Sequence, residues 1–191
     1  MPEKHLSSQF DSELNSVSSR VMELGGLVES QMRQAIYALS QFSSEAADQV
    51  IEIEHRVNAM EVEIDRELSS IIGRRQPTAR DLRLLIAISK TTANLERVGD
   101  EANKIARMVK SIVASGTARN LPSSDLRVAA ELACGLQCQA LDAFARLAPS
   151  AAMAILKEAA PIDKGIDGFV SKPITHLMEA TSWPRLLIVS H

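Results

Sequence analysis

A chain of 191 residues suits one sizeable domain or two small ones, and it is 46% hydrophobic but only 3% aromatic. That mixture favours a helical bundle cored by Leu, Ile, Val, Ala and Met over a sheet protein. A net charge of −3 with no dense Lys/Arg block argues against nucleic-acid binding, and no apolar run approaches the roughly 18 residues needed to span a bilayer.

The first helix is predicted over about 7–42, where Leu14, Val17, Val21, Leu24, Val28, Met32, Ala35, Leu39 and Phe42 recur at gaps of three and four. Gly25-Gly26 is a candidate bend within it. Ser43-Ser44 offers a stop and a new N-cap before Glu45. The second helix runs from about Glu45 to Ile72 on the stripe Val50, Ile53, Val57, Met60, Ile64, Leu68 and Ile71. Beside that stripe lie Glu54, Asn58, Glu61 and Asp65. Pro77 ends this helix at Arg74-Arg75-Gln76, because proline disfavours helical geometry in the residue before it. Thr78-Ala79-Arg80-Asp81 resembles a capping box with Asp in place of Glu, and opens a third helix reaching about Ala114.

In that third helix Leu95, Val98, Ala102, Ile105, Val109 and Ile112 mark an apolar face, while Ser89, Ala93, Glu96, Asp100, Asn103 and Arg107 fall on a separate strip. Glu96 and Asp100 stand one turn apart, and like charges at that spacing repel by about 0.2–0.5 kcal/mol unless a cation lies between them. Gly99 costs about 1 kcal/mol relative to alanine inside a helix. Its small size allows another helix, or a bound ion, to come close.

The run Leu95-Glu96-Arg97-Val98-Gly99-Asp100 resembles the Leu-Glu-Arg-(Ile/Val)-Gly-Asp signature of the PhoU family, bacterial accessory proteins of phosphate signalling. Arg75-Gln76-Pro77-Thr78-Ala79 and Asp81-Leu82-Arg83-Leu84 are similar to that family's helix connection and following helix. The resemblance implies an all-α fold of tandem three-helix units. Residues 1–115 would form the first unit, 116–123 a linker, and 124–191 a partial second unit lacking its last helix.

An internal repeat agrees with this division. Ala140 to Leu156 can be laid on Ala35 to Ile51 at an offset of 105, which places Ile162-Asp163 on Val57-Asn58. Pro161, Gly165, Gly168 and Pro173 interrupt the counterpart of the second helix, at about 3 kcal/mol for each proline inside a helix. Arg185-Leu-Leu-Ile188 resembles Arg83-Leu-Leu-Ile86, but no second Glu-Arg-x-Gly-Asp helix follows before His191.

The resemblance also implies paired Glu/Asp-x-x-x-Asp motifs that bind iron or another divalent or trivalent metal. Glu96 and Asp100 match one motif in full, and Glu54 matches its partner motif with Asn58 in the Asp position. Of the second unit only Asp163 can be placed, so a second cluster is not expected. Hard cations favour such oxygen ligands. Spacing alone favours a set of solvated carboxylates flanking the apolar stripes, offset by Arg97, Lys104 and Arg107, and the resemblance brings the metal reading level with it.

The function implied is regulatory and non-enzymatic. It is that of a cytoplasmic adaptor between the phosphate ABC transporter's ATPase (PstB-like) and a sensor kinase (PhoR-like), silencing phosphate-starvation genes. It would reach the membrane only through these partners, and a homodimer is expected. The opening Met-Pro-Glu-Lys-His carries no signal-peptide hydrophobic region, in keeping with the cytoplasm. One alternative is a carboxylate-lined enzyme of ferritin-like type. That site needs two Glu-x-x-His motifs, and Glu52-Ile-Glu-His55 is the single one. Another is a truncated remnant without function. No nucleophile elbow or phosphate-cradling glycine loop is present. Cys134 and Cys138, four apart in an apolar helical stretch, read as structural thiols.

Overall fold

The computed structural model describes residues 3–116, 123–148 and 150–159. Among these residues there is no strand. Four long helices appear in order: α1 (Glu3–Gln41), α2 (Ser44–Arg75), α3 (Ala79–Ser115) and α4 (Ser123–Ala145). A further helical stretch covers 150–159. Asp163 and the segment Arg185 to Ile188 lie outside the described residues, as do the interrupting residues Pro161, Gly165, Gly168 and Pro173.

Short connections make α1, α2 and α3 an antiparallel three-helix bundle in which every pair is in contact. The sharp reversals come from local chemistry. Phe42 takes a left-handed conformation (φ 50°), and the Ser43 amide then bonds the Ala38 carbonyl at 3.0 Å. Ser43 caps the next helix as the sequence predicts, its hydroxyl accepting from the Ala46 amide at 3.2 Å. At the α2–α3 turn Gln76 is left-handed (φ 47°), and its amide bonds the Ile72 carbonyl. Thr78 departs from the capping-box pattern. Its hydroxyl donates to the Asp81 carboxylate at 2.8 Å and makes no cap to the backbone.

Leu14, Val17, Val21, Leu24 and Val28 of α1 close on Val57, Ile64, Leu68 and Ile71 of α2 and on Leu85, Ile88 and Leu95 of α3. A second cluster lies towards the α1–α2 turn and is built from smaller residues: Ala35, Ala38, Ala46, Ala47, Ala102 and Ala106, with Leu39, Val50 and Val109. Burying a large aliphatic side chain contributes about 1.5–3 kcal/mol, so these two clusters supply most of the favourable packing energy. Ion pairs bind the ends. Glu13 near the start of α1 takes Arg75 at 2.8 Å and Arg74 at 3.4 Å, and Arg20 pairs with Glu63 and Glu67.

Among the described residues α4 packs its backbone closely on α1 and on no other helix. The two run antiparallel, since Arg33, Glu29 and Gly25 of α1 meet Cys134, Cys138 and Leu141 of α4 in descending order. Through Gly25-Gly26 α1 continues unbroken to Gln41. The role of Gly25 is close approach. A Cβ placed there would come within 2.5 Å of Leu141 Cδ1, and Gln137 Nε2 donates to the Gly25 carbonyl at 3.3 Å.

The internal repeat is written in the backbone. Leu147, the counterpart of Phe42 at the offset of 105, is also left-handed (φ 49°), and the Ala148 amide bonds the Ala143 carbonyl at 3.0 Å as Ser43 bonds Ala38. Gly25→Val should push α4 off α1, costing about 1–3 kcal/mol of stability by overpacking. Urea unfolding measures the loss. Adding Leu141→Ala should recover part of it by making room for the new side chain.

Candidate functional site

At the middle of the first bundle three helices approach over polar atoms. Gln31 of α1 is fully buried, and its Nε2 donates to Glu54 Oε2 at 2.7 Å and to the Val50 carbonyl at 3.4 Å. Glu54 of α2 is only 4% exposed. Opposite them is Gly99 of α3. A Cβ there would lie 2.8 Å from Gln31 Oε1 and 3.3 Å from Glu54 Oε2. The helices can close here because position 99 has no side chain, the close approach that its small size suggests. Two buried oxygens, Gln31 Oε1 and Glu54 Oε1, have no hydrogen-bond partner.

Glu96 and Asp100 flank Gly99 and stand half-buried at the rim. Burial pushes the Glu96 carboxyl above its ordinary value. Asp100, Glu61 and Glu54 repel its negative charge and push it the same way, against a smaller pull from Arg97. Four carboxylates from α2 and α3 therefore share one corner of the bundle. Glu54, Glu96 and Asp100, the sequence-predicted metal residues, are brought to this corner, but not in equal standing. Glu54 faces the interior, tied to Gln31, while Glu96 and Asp100 face the rim. Asn58 is exposed. Among the described residues no three His, Cys, Asp or Glu side chains converge into a set that could hold a metal ion.

Gln31 was not a sequence candidate. The one available signal is its position among Val21, Leu24, Val28, Ala35 and Leu39, a polar residue on a buried helical stripe. His55, the lone histidine of the Glu-x-x-His motif, is exposed. Cys134 is buried and Cys138 half-buried, facing α1. Hydrogen bonding to Glu29 raises the Cys138 thiol, and burial raises Cys134, so both thiols stay protonated at neutral pH.

The model of the PhoU domain matches residues 21–109, which covers the Gln31–Glu54–Gly99 crossing and both rim carboxylates. A phosphate-specific transport system accessory protein PhoU homolog from a Burkholderia species is 43% identical over 182 residues, spanning 95% of this chain and 77% of that one. The chain belongs to the PhoU family. The Escherichia coli K12 accessory protein PhoU is 42% identical over 176 residues, 92% of this chain and 72% of its own length. The fold agrees with that membership. The crystal structure of Pseudomonas aeruginosa PhoU superposes with a TM-score of 0.83 at 38% identity, over 89% of this chain and 81% of the other. The PhoU phosphate transport regulator of Streptococcus pneumoniae gives 0.80 at 27% identity, over 90% and 80%.

Within this PhoU bundle the Gln31–Glu54 bond is a strong one, since a hydrogen bond to a charged group contributes about 1.5–3 kcal/mol. Gln31→Met should lower stability by about 3 kcal/mol, because it leaves a buried carboxylate unpartnered. Gln31→Met with Glu54→Met should recover at least half of that loss, which urea denaturation of the two variants checks.

Proposed function

We propose that this chain regulates phosphate uptake and phosphate-starvation signalling as an adaptor, holding the ATPase of a phosphate ABC transporter and a sensor kinase without catalysis of its own. The observation that carries the reading is identity of 43% across 95% of the chain with a phosphate-specific transport system accessory protein. The architecture suits the task. Rigid helices of 32 to 39 residues present long polar faces, and a helix of 37 residues extends about 55 Å. None of the described helices is long and apolar enough to cross a membrane, and the proposed route to the membrane is through those partners. The cytoplasm is the compartment this reading requires. A homodimer is part of the proposal, resting on Val128, Leu132, Leu147, Met153 and Leu156, large apolar residues exposed on α4 and beyond.

The same reading includes a cation at the α2–α3 corner. Its residues fit that role chemically, since Glu54 Oε1 is buried without a partner and Glu96 is raised by burial and by its carboxylate neighbours. Glu96 and Asp100 would supply two oxygen donors to iron or another hard cation at the rim, beside Glu54, which is tied to Gln31. Its contribution would be charge neutralisation between α2 and α3.

Two measurements test the proposal. Metal analysis of the purified protein should find bound metal that is lost in Glu96→Ala/Asp100→Ala, and equal, negligible metal in both sinks the cation. Affinity-tagged protein should co-purify with the transporter ATPase or the sensor kinase. Absence of both partners, together with a turnover abolished by chelation, would favour the ferritin-like enzyme instead.

A further inference from the structure

The outward face of α3 carries a pattern that bundle packing does not use. Arg83, Lys90, Arg97 and Lys104 recur at intervals of seven residues, and all four are exposed. With Ala87, Asn94, Glu101 and Met108 between and after them, they form a seam that alternates gaps of four and three. At 1.5 Å per residue it runs about 31 Å from Arg83 to Lys104. Arg80 borders one end, and Ile86 and Met108 add apolar surface, 45% and 46% exposed. Glu101 is the acidic residue within the seam, bound to Lys104 at 2.7 Å, and Asp100 at its border also attracts Lys104. Arg83, Lys90 and Arg97 make no hydrogen bond or ion pair to another described residue, although Arg97 lies within electrostatic reach of Glu96.

The other long helices differ. Exposed Glu45, Asp48, Glu52, Glu63 and Asp65 make α2 acidic, and its Glu63 and Glu67 are taken by Arg20. A chain of net charge −3 thus concentrates unpaired positive charge on one face of one helix. The three-four alternation follows from burial of the opposite face of α3, but solvation does not require every second seam position to be a cation. A seven-residue interval stays in register with a second α-helix, because the 3.5-residue repeat lets two helices follow each other along a shared seam. The small Ala87 and Asn94 permit approach, and the arginine and lysine stems cover apolar surface while their heads meet carboxylates.

We infer that the outer seam of α3 docks an acidic amphipathic helix of a partner protein, one that presents Glu or Asp at seven-residue intervals beside an apolar stripe. The inference deepens the adaptor reading by naming a surface and the chemistry that fits it. Charge complementarity of this kind sets orientation and association rate as much as affinity.

The probe is a synthetic, fluorescently labelled helical peptide with glutamates at seven-residue intervals, titrated with the full chain and followed by anisotropy. It should bind, weaken with added salt, and bind at least about tenfold more tightly than a peptide of the same composition with glutamates every five residues. Arg83→Glu/Lys90→Glu/Arg97→Glu should abolish binding with an unchanged thermal melt by circular dichroism, and the Gln triple variant should weaken it. Arg56→Glu/Arg66→Glu on α2 should leave it intact. Equal binding of both peptides, or full binding by the Glu triple variant, overturns the inference. So does indifference to the peptide with capture on phosphatidylglycerol vesicles that needs the same three residues, which would assign the seam to a lipid surface. Protein that co-purifies with the transporter ATPase yet ignores the peptide loses the seam and keeps the adaptor.

Discussion

Everything in the first unit depends on how closely three helices can approach at residue 99. Close packing of helices that long is usually achieved by interlocking large side chains. Here it is achieved by a missing one, with a glutamine and a glutamate filling the space from opposite sides. The arrangement is costly, because a carboxylate withdrawn from water needs compensation and one of its oxygens has no partner. A purely apolar crossing would be cheaper. The polar contact fixes the register of three helices, since sliding α1 along α2 by a turn separates Gln31 from Glu54 and sliding α3 moves Gly99 away from them. The same closeness gathers Glu54, Glu61, Glu96 and Asp100 into one corner, so the unusual electrostatics at the rim and the glycine at the centre have a single origin.

The second unit repeats the bundle's corner without repeating its centre. At the offset of 105, Gln31 corresponds to Leu136 and Glu54 to Ala159, so the polar contact has no counterpart on α4 and the stretch after it. What persists is the turn: a left-handed residue, an amide reaching back five residues, and a new helix. Ala148 stands where Ser43 provides the cap, so the second turn lacks a side-chain oxygen at that position.

The first unit was legible because its signals are local and strong. Pro77, Ser43 and the three-four stripes place every helix end of α1 to α3 within about four residues. The family resemblance at Leu95 to Asp100 is matched by the PhoU model over 21–109. The buried face of α3 was less legible. The apolar stripe read from the sequence placed Leu95, Ala102 and Val109 inside, but Val98 and Ile105 are half-buried while Thr92, Gly99 and Ala106 are buried. Pattern reading weighs large hydrophobics, but the closest approach selects the smallest side chains. For the same reason Glu54 read as a flank of its stripe and proved to be interior. Whether a polar residue at a stripe's edge turns inward depends on the helix opposite, which no local window contains.

Among the described residues, the close backbone contact of α4 is with a single helix. With a glycine at a close point of that contact, α4 meets α1 along one line. A body seated on a line can roll about it while keeping its contacts, whereas tipping across the line must break them. Among the described residues, the Gly25–Leu141 contact is where that line is tightest.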